Sequence, residues 1–524
     1  MMNEKMNYAD LPDSAFERVP MEGRLHDQAL ESKPIGSFRD ALNRFCCNKS
    51  SVVAAGIIVV LLLYAILVPW LCETNYSRAL RDTTYLQYIK LPPKVQGLEW
   101  LGMGGTKTGK YNEIDYIKMN AIAQETGHTP IVEVINGAHI DPKSNSNANY
   151  YDLKIDAYQN MGMMYLTLTP AQYEDIQAWQ DEHQIQVIFP AITDAKQTNA
   201  NIWYEVTKKG APKLKNGEVN PIYRTTTVSD TSYHSLRIAA DNDPEKPLAY
   251  ARVTGTSESK SYVVRVDKYN YFQYRYGFEP AFVFGTNATG QDIFTRLAAG
   301  ARFSFLLAIS ISLINLIIGT FYGAMQGYYG GWVDLTMDRI ADVLSGVPFM
   351  VVTTLFQLHL AKTVGPVWSL IFAFILTGWI GMAQRVRMQF YRFKGQEYIL
   401  AARTLGASDY RLMFKHIFPN SLGTIITGSV LVIPGVIFSE SSLTYLGIVN
   451  LESSTMTSVG TMLANGKNYL STDPYIILFP ALFIALLEIS FNLFGNGLRD
   501  AFNPSLRGCL LYTSPSPRDR SVSR

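Results

Sequence analysis

The chain has 524 residues, 48% of them hydrophobic and 17% charged, with a formal net charge of +2; soluble domains average about 25% charged. A mean hydropathy of +0.03 is too low for a chain lying wholly in a bilayer, so the apolar residues must be concentrated in spans. That net charge says nothing about nucleic acid, but no basic stripe with interleaved aromatics points to it as a partner; only Cys72 of the four cysteines (Cys46, Cys47, Cys72, Cys509) falls in the long polar region after the first span, which excludes a disulfide framework there.

Residues 1–50 are polar and mixed in charge, broken by Pro12, Pro20 and Pro34, and turn basic at Arg39, Arg44 and Lys49. Cys46 and Cys47 at the membrane edge read as apolar filler or as acylation sites. Residues 51–71 carry no charge and are long enough to cross the hydrocarbon core. They exit through Pro69-Trp70-Leu71 rather than small residues, so the segment reads as a retained anchor and not a cleaved signal.

Residues 72–284 change to the composition of a soluble domain, rich in Tyr, Asn, Thr and Lys. Thr169 followed by Pro170 predicts a capped helix running to about His183. Alternation predicts strands over 184–189, 250–254 and 261–266, hence an inserted mixed α/β domain. The run Gly104-Gly105-Thr106-Lys107-Thr108-Gly109-Lys110 fits most of a phosphate loop, but Tyr111 stands where Ser or Thr must reach magnesium. It reads as a Gly-rich external turn. His128, His139, His183 and His234 lack the close spacing of a zinc site. The sequons at Asn75 and Asn287 are short enough to arise by chance.

Five further apolar segments are predicted at about 305–326, 341–360, 367–383, 422–448 and 475–494, giving six spans with both termini on one side. Arg385, Arg387, Arg392, Lys394, Arg403, Arg411 and Lys415 all fall between spans four and five. The positive-inside rule puts that loop and both termini in the cytoplasm. Region 72–284 is then outside, as are the weakly basic loops 361–366 and 450–474. Asp338, Arg339 and Asp342 read as a locally paired cytoplasmic end of span three. Glu440 and Glu488 fall inside spans, where an ionisable group costs at least about 3 kcal/mol on insertion scales. Both are candidates for a polar translocation path; Glu440 reads equally as a hydrated residue near the outer boundary, and Glu488 reads as buried.

Residues 397–420, EYILAARTLGASDYRLMFKHIFPN, predict an amphipathic helix from Glu397 to about Leu405, a turn, and a second, basic helix ending at Pro419. At Gly406 only a hydrogen separates the backbone from whatever docks there. A loop that merely set topology would need Lys and Arg but not the Ala401-Ala402, Gly406 and Pro419 spacing. That spacing resembles the cytoplasmic coupling loop of ABC-importer permeases. Three more motifs keep the same order: Gly285-Thr286-Asn287-Ala288-Thr289-Gly290-Gln291-Asp292 with Arg296 and Gly300-Ala301-Arg302; Gly327-Tyr328-Tyr329-Gly330-Gly331 with Asp334; and Asn492, Gly495, Gly497-Leu498-Arg499-Asp500 and Pro504. Together they resemble the C-type membrane subunit of oligopeptide and dipeptide importers over residues 285–504, but not over 72–284. Asn287, Gln291, Leu400, Asn496 and Asn503 stand where the family carries charge, which puts particular salt bridges in doubt.

The resemblance implies an α-helical polytopic protein with the six transmembrane helices of the type I ABC importer permease fold, interrupted by the extracytoplasmic insert. It implies a bacterial cell membrane, a homologous second permease subunit, two ABC ATPase subunits and an extracytoplasmic substrate-binding lipoprotein. Peptide would be the substrate and membrane lipid the surroundings; nickel chelates or another small solute are the alternative cargo. No catalytic constellation or cofactor is implied, since ATP hydrolysis would lie in the partner subunits. The coupling loop, 385–420, would meet the ATPase through Tyr398, Ala401, Ala402, Leu405, Gly406 and Pro419, with Tyr410 and Phe414 as further apolar anchors. Arg403, Arg411 and Lys415 would pair with ATPase acids or face lipid headgroups. Residues 508–524 are Ser/Pro/Arg-rich, do not fit the family pattern, and read as a non-native or disordered tail. The rival reading as a membrane-anchored sensor with an external ligand-binding domain calls for a cytoplasmic output domain, and the longest cytoplasmic segments expected here are residues 1–50 and the coupling loop; a secondary transporter would usually show related halves, and no such repeat is legible.

Overall fold

The computed structural model describes residues 37–71, 88–140, 149–193, 199–207, 211–225, 248–255, 260–453 and 456–502. The readings placed on residues 1–36, Cys72, the Asn75 sequon, His234, Asn503, Pro504, Cys509 and the tail 508–524 lie outside these. Helix α1 (Ser37–Cys47) leads through Asn48 into α2 (Lys49–Leu71), the first span.

The insert is a two-sheet α/β body. Its first sheet comprises β1 (Thr106–Asn112), β2 (Ile131–Ile140) and β3 (Asn149–Asp156), antiparallel in the order β1-β3-β2, with α3 (Glu113–Thr126) between the first two in sequence. Asn112 caps α3 by accepting from the Asp115 amide (2.8 Å), and Gly127 ends it at φ +74°. Met119 then packs on Leu153 and Ile155. In the second sheet are β4 (Met163–Leu168), followed by α4 (Pro170–His183), and β5 (Ile188–Phe189). A hairpin of β6 (Leu214–Lys215) and β7 (Glu218–Val219) precedes β8 (Ala251–Thr254) and β9 (Ser261–Asp267). The order is β4-β9-β5 with β8 also on β9, and α5 (Lys268–Tyr276) follows. Thr169 and Gln172 form a reciprocal capping box on α4, as the sequence predicts. The strand expected over 184–189 shrinks to two residues because Gln184 takes a left-handed cap (φ +56°) that closes α4. A buried ion pair joins the layers: Arg265 of β9 meets Glu125 of α3, which also accepts from the Tyr223 hydroxyl. Burial and the Glu125 carboxylate push that hydroxyl far above the ordinary tyrosine range.

The phosphate-loop look-alike is strand, not loop. Thr106 to Lys110 pair with β3, and Lys107 Nζ donates to Asp473 Oδ1 at 2.6 Å, at the mouth of the last span. Lys90 Nζ lies 3.8 Å from the same carboxylate, whose side chain is buried. Thr286 adds a second tie by accepting from the Leu91 amide (2.8 Å). Removing this shared acid leaves two partly shielded ammonium groups facing each other. Asp473→Ala is therefore expected to raise amide exchange across 88–112 in the purified protein while leaving 397–404 unchanged; equal protection in both proteins would mean the insert does not hang on this pair.

The membrane part begins with α6 (Ile293–Tyr329), 37 residues and about 55 Å long, so it projects well beyond a hydrocarbon core of about 30 Å. Gly319, Gly323 and Gly327 line one face of it: a Cβ would lie 2.7 Å from the Trp379 carbonyl oxygen at the first, 2.1 Å from that of Ala383 at the second, and 2.7 Å from that of Arg387 at the third. This is a small-residue stripe that lets two helix backbones touch. After it come α7 (Gly331–Ser345) and α8 (Phe349–His359), bent 70° to each other across Gly346-Val347-Pro348. The straight third span expected at 341–360 is thus broken, because Pro348 cannot continue a helix from the preceding turn. The described residues hold five helices long and apolar enough to cross, or six counting this bent pair.

The short α9 (Ala361–Val364) leads to α10 (Pro366–Gly378) and α11 (Ile380–Lys394), which together make one 29-residue span. Residues 385–394 are therefore helix and not loop. Next come α12 (Glu397–Thr404), a single turn α13 (Asp409–Arg411), a π-helical turn over Leu412–Ile417, α14 (Phe418–Val430) and α15 (Val432–Tyr445). The basic helix does not end at Pro419, which sits in the first turn of α14 where its missing N–H costs least. The widened π turn before it keeps the helix continuous. Finally α16 (Val459–Gly466) tucks between α6, α15 and α17 (Tyr475–Phe502). α17 touches the insert at Tyr475, while its other end, about 40 Å away, packs on α1 and α14.

Candidate functional site

The segment 397–420 is built onto the inner core and not suspended from it. Ile399 is fully buried with Leu412, Ile417, Val386 and Phe390, so α12 is pinned against α6 and α11. Tyr328, at the end of α6, donates to Asp409 and accepts from Arg403 Nη2 (3.2 Å), closing the loop with a polar clasp. Arg403 is thereby committed within the chain, whereas Arg411 and Lys415 are exposed. Neither Tyr328 nor Asp409 was singled out by sequence reasoning, although Tyr328 lies in the Gly-Tyr-Tyr-Gly-Gly turn.

The opposite face of α12 is bare. Tyr398 and Ala401 are exposed there, and Leu405 (88% exposed) and Tyr410 (71%) project outward just beyond the helix, whereas Ala402 does not join them: it is half-buried and packs on the same cluster as Ile399. Phe414 does not join them. It is half-buried, its ring 5.9 Å from Phe321 and 4.8 Å from Tyr410. Pro419 is exposed, well beyond the clasp in the chain, and Asn420 Nδ2 donates to the Tyr398 hydroxyl at 3.1 Å. At Gly406 the backbone turns at φ +83°, and the amides of Gly406 and Ala407 donate to the Arg403 (3.0 Å) and Ala402 (3.1 Å) carbonyls. Among the described residues, nothing beyond its chain neighbours lies within 4 Å of where a Cβ would be. The glycine is required by the left-handed turn that aims Leu405 outward, a reason distinct from the bare-backbone contact expected from sequence.

The two intramembrane acids part company. Glu440 on α15 is 0% exposed and takes hydrogen bonds from Ser304 (3.2 Å) and Thr444 (3.2 Å), with Ser441 at 3.4 Å. It neither meets water nor lines an open passage in this conformation, because α6 and α16 close over it; Gly460 is small enough to let that happen, its Cβ position 3.1 Å from Glu440 Oε1. Glu488 on α17 is half-buried, and its Oε1 finds no hydrogen-bond partner among the described residues. It opens on a cavity of about 720 Å³ walled by apolar side chains such as Phe438, Leu446 and Ile477.

The doubt raised by Asn287 and Gln291 is resolved locally. The Asn287 carboxamide accepts from the Thr289 and Gln291 amides (3.0 and 2.8 Å), and Arg296 reaches both Gln291 and Glu452. Neutral side chains thus hold this outer turn. Asp334 is paired with Arg387 (2.7 Å), fastening α7 to α11. The expected local trio also splits: Arg339 pairs with Asp342 (3.1 Å), and Asp338 with Arg387 (3.0 Å).

Residues 316–508 match the family described as binding-protein-dependent transport system inner membrane component, and residues 36–93 match the N-terminal TM domain of oligopeptide transport permease C. The chain is 42% identical over 224 residues to the oligopeptide transport system permease protein OppC of Bacillus subtilis, a match covering 43% of this chain and 72% of that one. Against the dipeptide permease DppC of the same organism the identity is 40% over 225 residues, covering 43% and 69%. The glutathione permease GsiD of Pectobacterium atrosepticum is 32% identical over 249 residues, covering 47% and 81%.

Proposed function

Since the chain belongs to the binding-protein-dependent transport permeases, among the oligopeptide and dipeptide permease C proteins, we propose that it is one membrane-spanning half of an ABC importer for peptides. It is a multi-pass protein of a bacterial inner membrane. A homologous permease forms the other half, two ATPase subunits bind at the 397–420 end, and a substrate-binding lipoprotein delivers cargo at the insert. The observation that carries this reading is the two-faced α12. Ile399 is locked to α6 and α11 on one side while Tyr398 and Ala401 stand bare on the other, with Leu405 and Tyr410 exposed just beyond its end, as a lever needs. ATP-driven closure of the ATPases would move α12, and the rigid α6–α11 contact would pass that motion to the spans. Glu488 then faces the translocation path or the partner permease.

The test is reconstitution with the second permease, both ATPases and the binding protein, followed by ATP-dependent uptake of labelled di- to pentapeptides. Accumulation of peptide supports the reading. Uptake of glutathione or a nickel chelate to the exclusion of peptides would change the cargo, and an assembled complex with no stimulated ATPase would remove the reading.

The orientation has its own check. Cys46 and Cys47 are free and exposed on α1, so they would react if that end were outside. A membrane-impermeant thiol reagent on intact cells is expected to spare both and to reach Cys72 where it is accessible; labelling of the N-terminal pair would reverse the topology. The insert is assigned to docking the lipoprotein. Titrating the binding protein, and separately peptide, against the full chain in nanodiscs tests this: tight peptide binding without binding-protein association would make the insert a receptor instead.

A further inference from the structure

α11 and α17 end around a cavity of about 350 Å³ at the same end of the spans as α12, with α14 as its third wall. Arg385, Gln389 and Arg392 reach it from successive turns of α11, Thr424 and Thr427 from α14, and Arg499 from α17. Arg392 and Arg499 lie in the last turns of their helices, at the level where phospholipid headgroups begin. Arg385 sits deeper, held by a hydrogen bond from Nη1 to the Gly428 carbonyl (3.0 Å). Gly428 leaves it the room, since a Cβ there would stand 2.9 Å from that nitrogen.

No acidic side chain among the described residues lines the cavity. Among the described residues no ion pair engages any of the three arginines, although the chain neutralises Arg387, Arg296 and Arg265 with carboxylates. Although exposed, the three arginines line one space, two from α11 and one from α17, and Arg385 is fixed in place by a backbone carbonyl. Leu431 and Phe502 give the cavity an apolar edge. Planar guanidinium groups beside hydroxyls and an amide are the donor set that recognises phosphate oxygens. Basic pockets between spans on this side of a membrane suit anionic lipid heads.

We propose that this cavity binds a net-anionic, phosphate-bearing group, supplied by the headgroup of an anionic phospholipid or by free phosphate. The site goes beyond the transport reading and does not depend on its cargo or partners, so it stands or falls separately. Occupancy would tie α11, α14 and α17 together beside the π turn that follows α12.

The experiment is thermal unfolding of the purified full chain in detergent with added phosphatidylglycerol, phosphatidylcholine or inorganic phosphate. It is run on the wild type and on R385Q/R392Q/R499Q. Phosphatidylglycerol is expected to raise the wild-type midpoint by about 3 °C or more, as ligand binding to the folded state requires, and to leave the variant unmoved. A phosphate effect of equal size, lost in the variant and not increased by lipid, supports the anion site with a free occupant. A phosphatidylglycerol shift that persists in the variant, or one matched by phosphatidylcholine, overturns the proposal. Should the triple variant fail to purify, R392Q/R499Q takes its place, because the described residues offer those two guanidinium groups no hydrogen-bond partner to lose.

Discussion

Peptide uptake by a reconstituted complex carrying Gly406→Trp is expected to fall at least about tenfold, the factor that ~1.4 kcal/mol of lost interface energy gives. Insertion and folding should change little. Position 406 is at the tip of the turn after α12, and a Cβ there has none of the described residues beyond its chain neighbours within 4 Å. The left-handed backbone (φ +83°) penalises any side chain by roughly 1 kcal/mol, and that cost is common to every substitution. Gly406→Ala carries the same strain without the bulk and serves as the control. If α12 enters a cleft with Leu405 and Tyr410 as anchors, an indole beside them props it out, and alanine does not. Stimulated ATPase activity and uptake should fall together in the tryptophan variant and survive largely intact in the alanine one. Near-normal uptake by a correctly inserted Gly406→Trp protein would remove 397–406 from the coupling surface.

A loss of a different kind is expected from Gly323→Leu, which should prevent the membrane core from assembling. A Cβ at 323 lies 2.1 Å from the Ala383 carbonyl oxygen and 2.9 Å from Val386 Cβ, in the stripe where α6 and α11 touch. The obstacle is backbone and cannot rotate away, so the cost reaches or exceeds the upper end of the roughly 1–3 kcal/mol usual for overpacking. Separating the two helices would also pull apart Val386 and Phe390 from Ala324 and Tyr328, the cluster that seats Ile399. Gly381→Leu is the matched control, because nothing stands within 4 Å of its Cβ position. The variant at 323 should aggregate or fail to elute as a single species on size exclusion, while that at 381 behaves as wild type. A monodisperse Gly323→Leu protein would mean that the close approach of α6 and α11 is not what holds the core.

Both glycines were present in the sequence, yet only one was given a role, and for an incomplete reason. Gly406 stood out through its distance from Ala401-Ala402 and from Pro419. Its positive φ could not be known until the amides of Gly406 and Ala407 were seen to close on α12. Gly319, Gly323 and Gly327 fall one helical turn apart, a period visible in any reading of α6, but glycine is common in spans and the stripe means nothing without an opposing backbone. The phosphate-like run was misleading in the same way: composition drew attention to Lys107, and the fold spent it on Asp473, far away in the chain.

Hydropathy and motif order were enough to locate the apolar segments and the family the core belongs to, because each depends on residues near one another in sequence. The capping box of α4 and the helix Glu397–Thr404 are legible for the same reason. What only the tertiary structure decided concerns distant partners. Glu440 and Glu488 look alike as acids within apolar runs. The fold closes α6 and α16 over the first, where Ser304 and Thr444 satisfy it, and leaves the second facing an open cavity with an oxygen unpaired. A carboxylate in a membrane is expensive until something donates to it, and the sequence does not record which helix will bring that donor near.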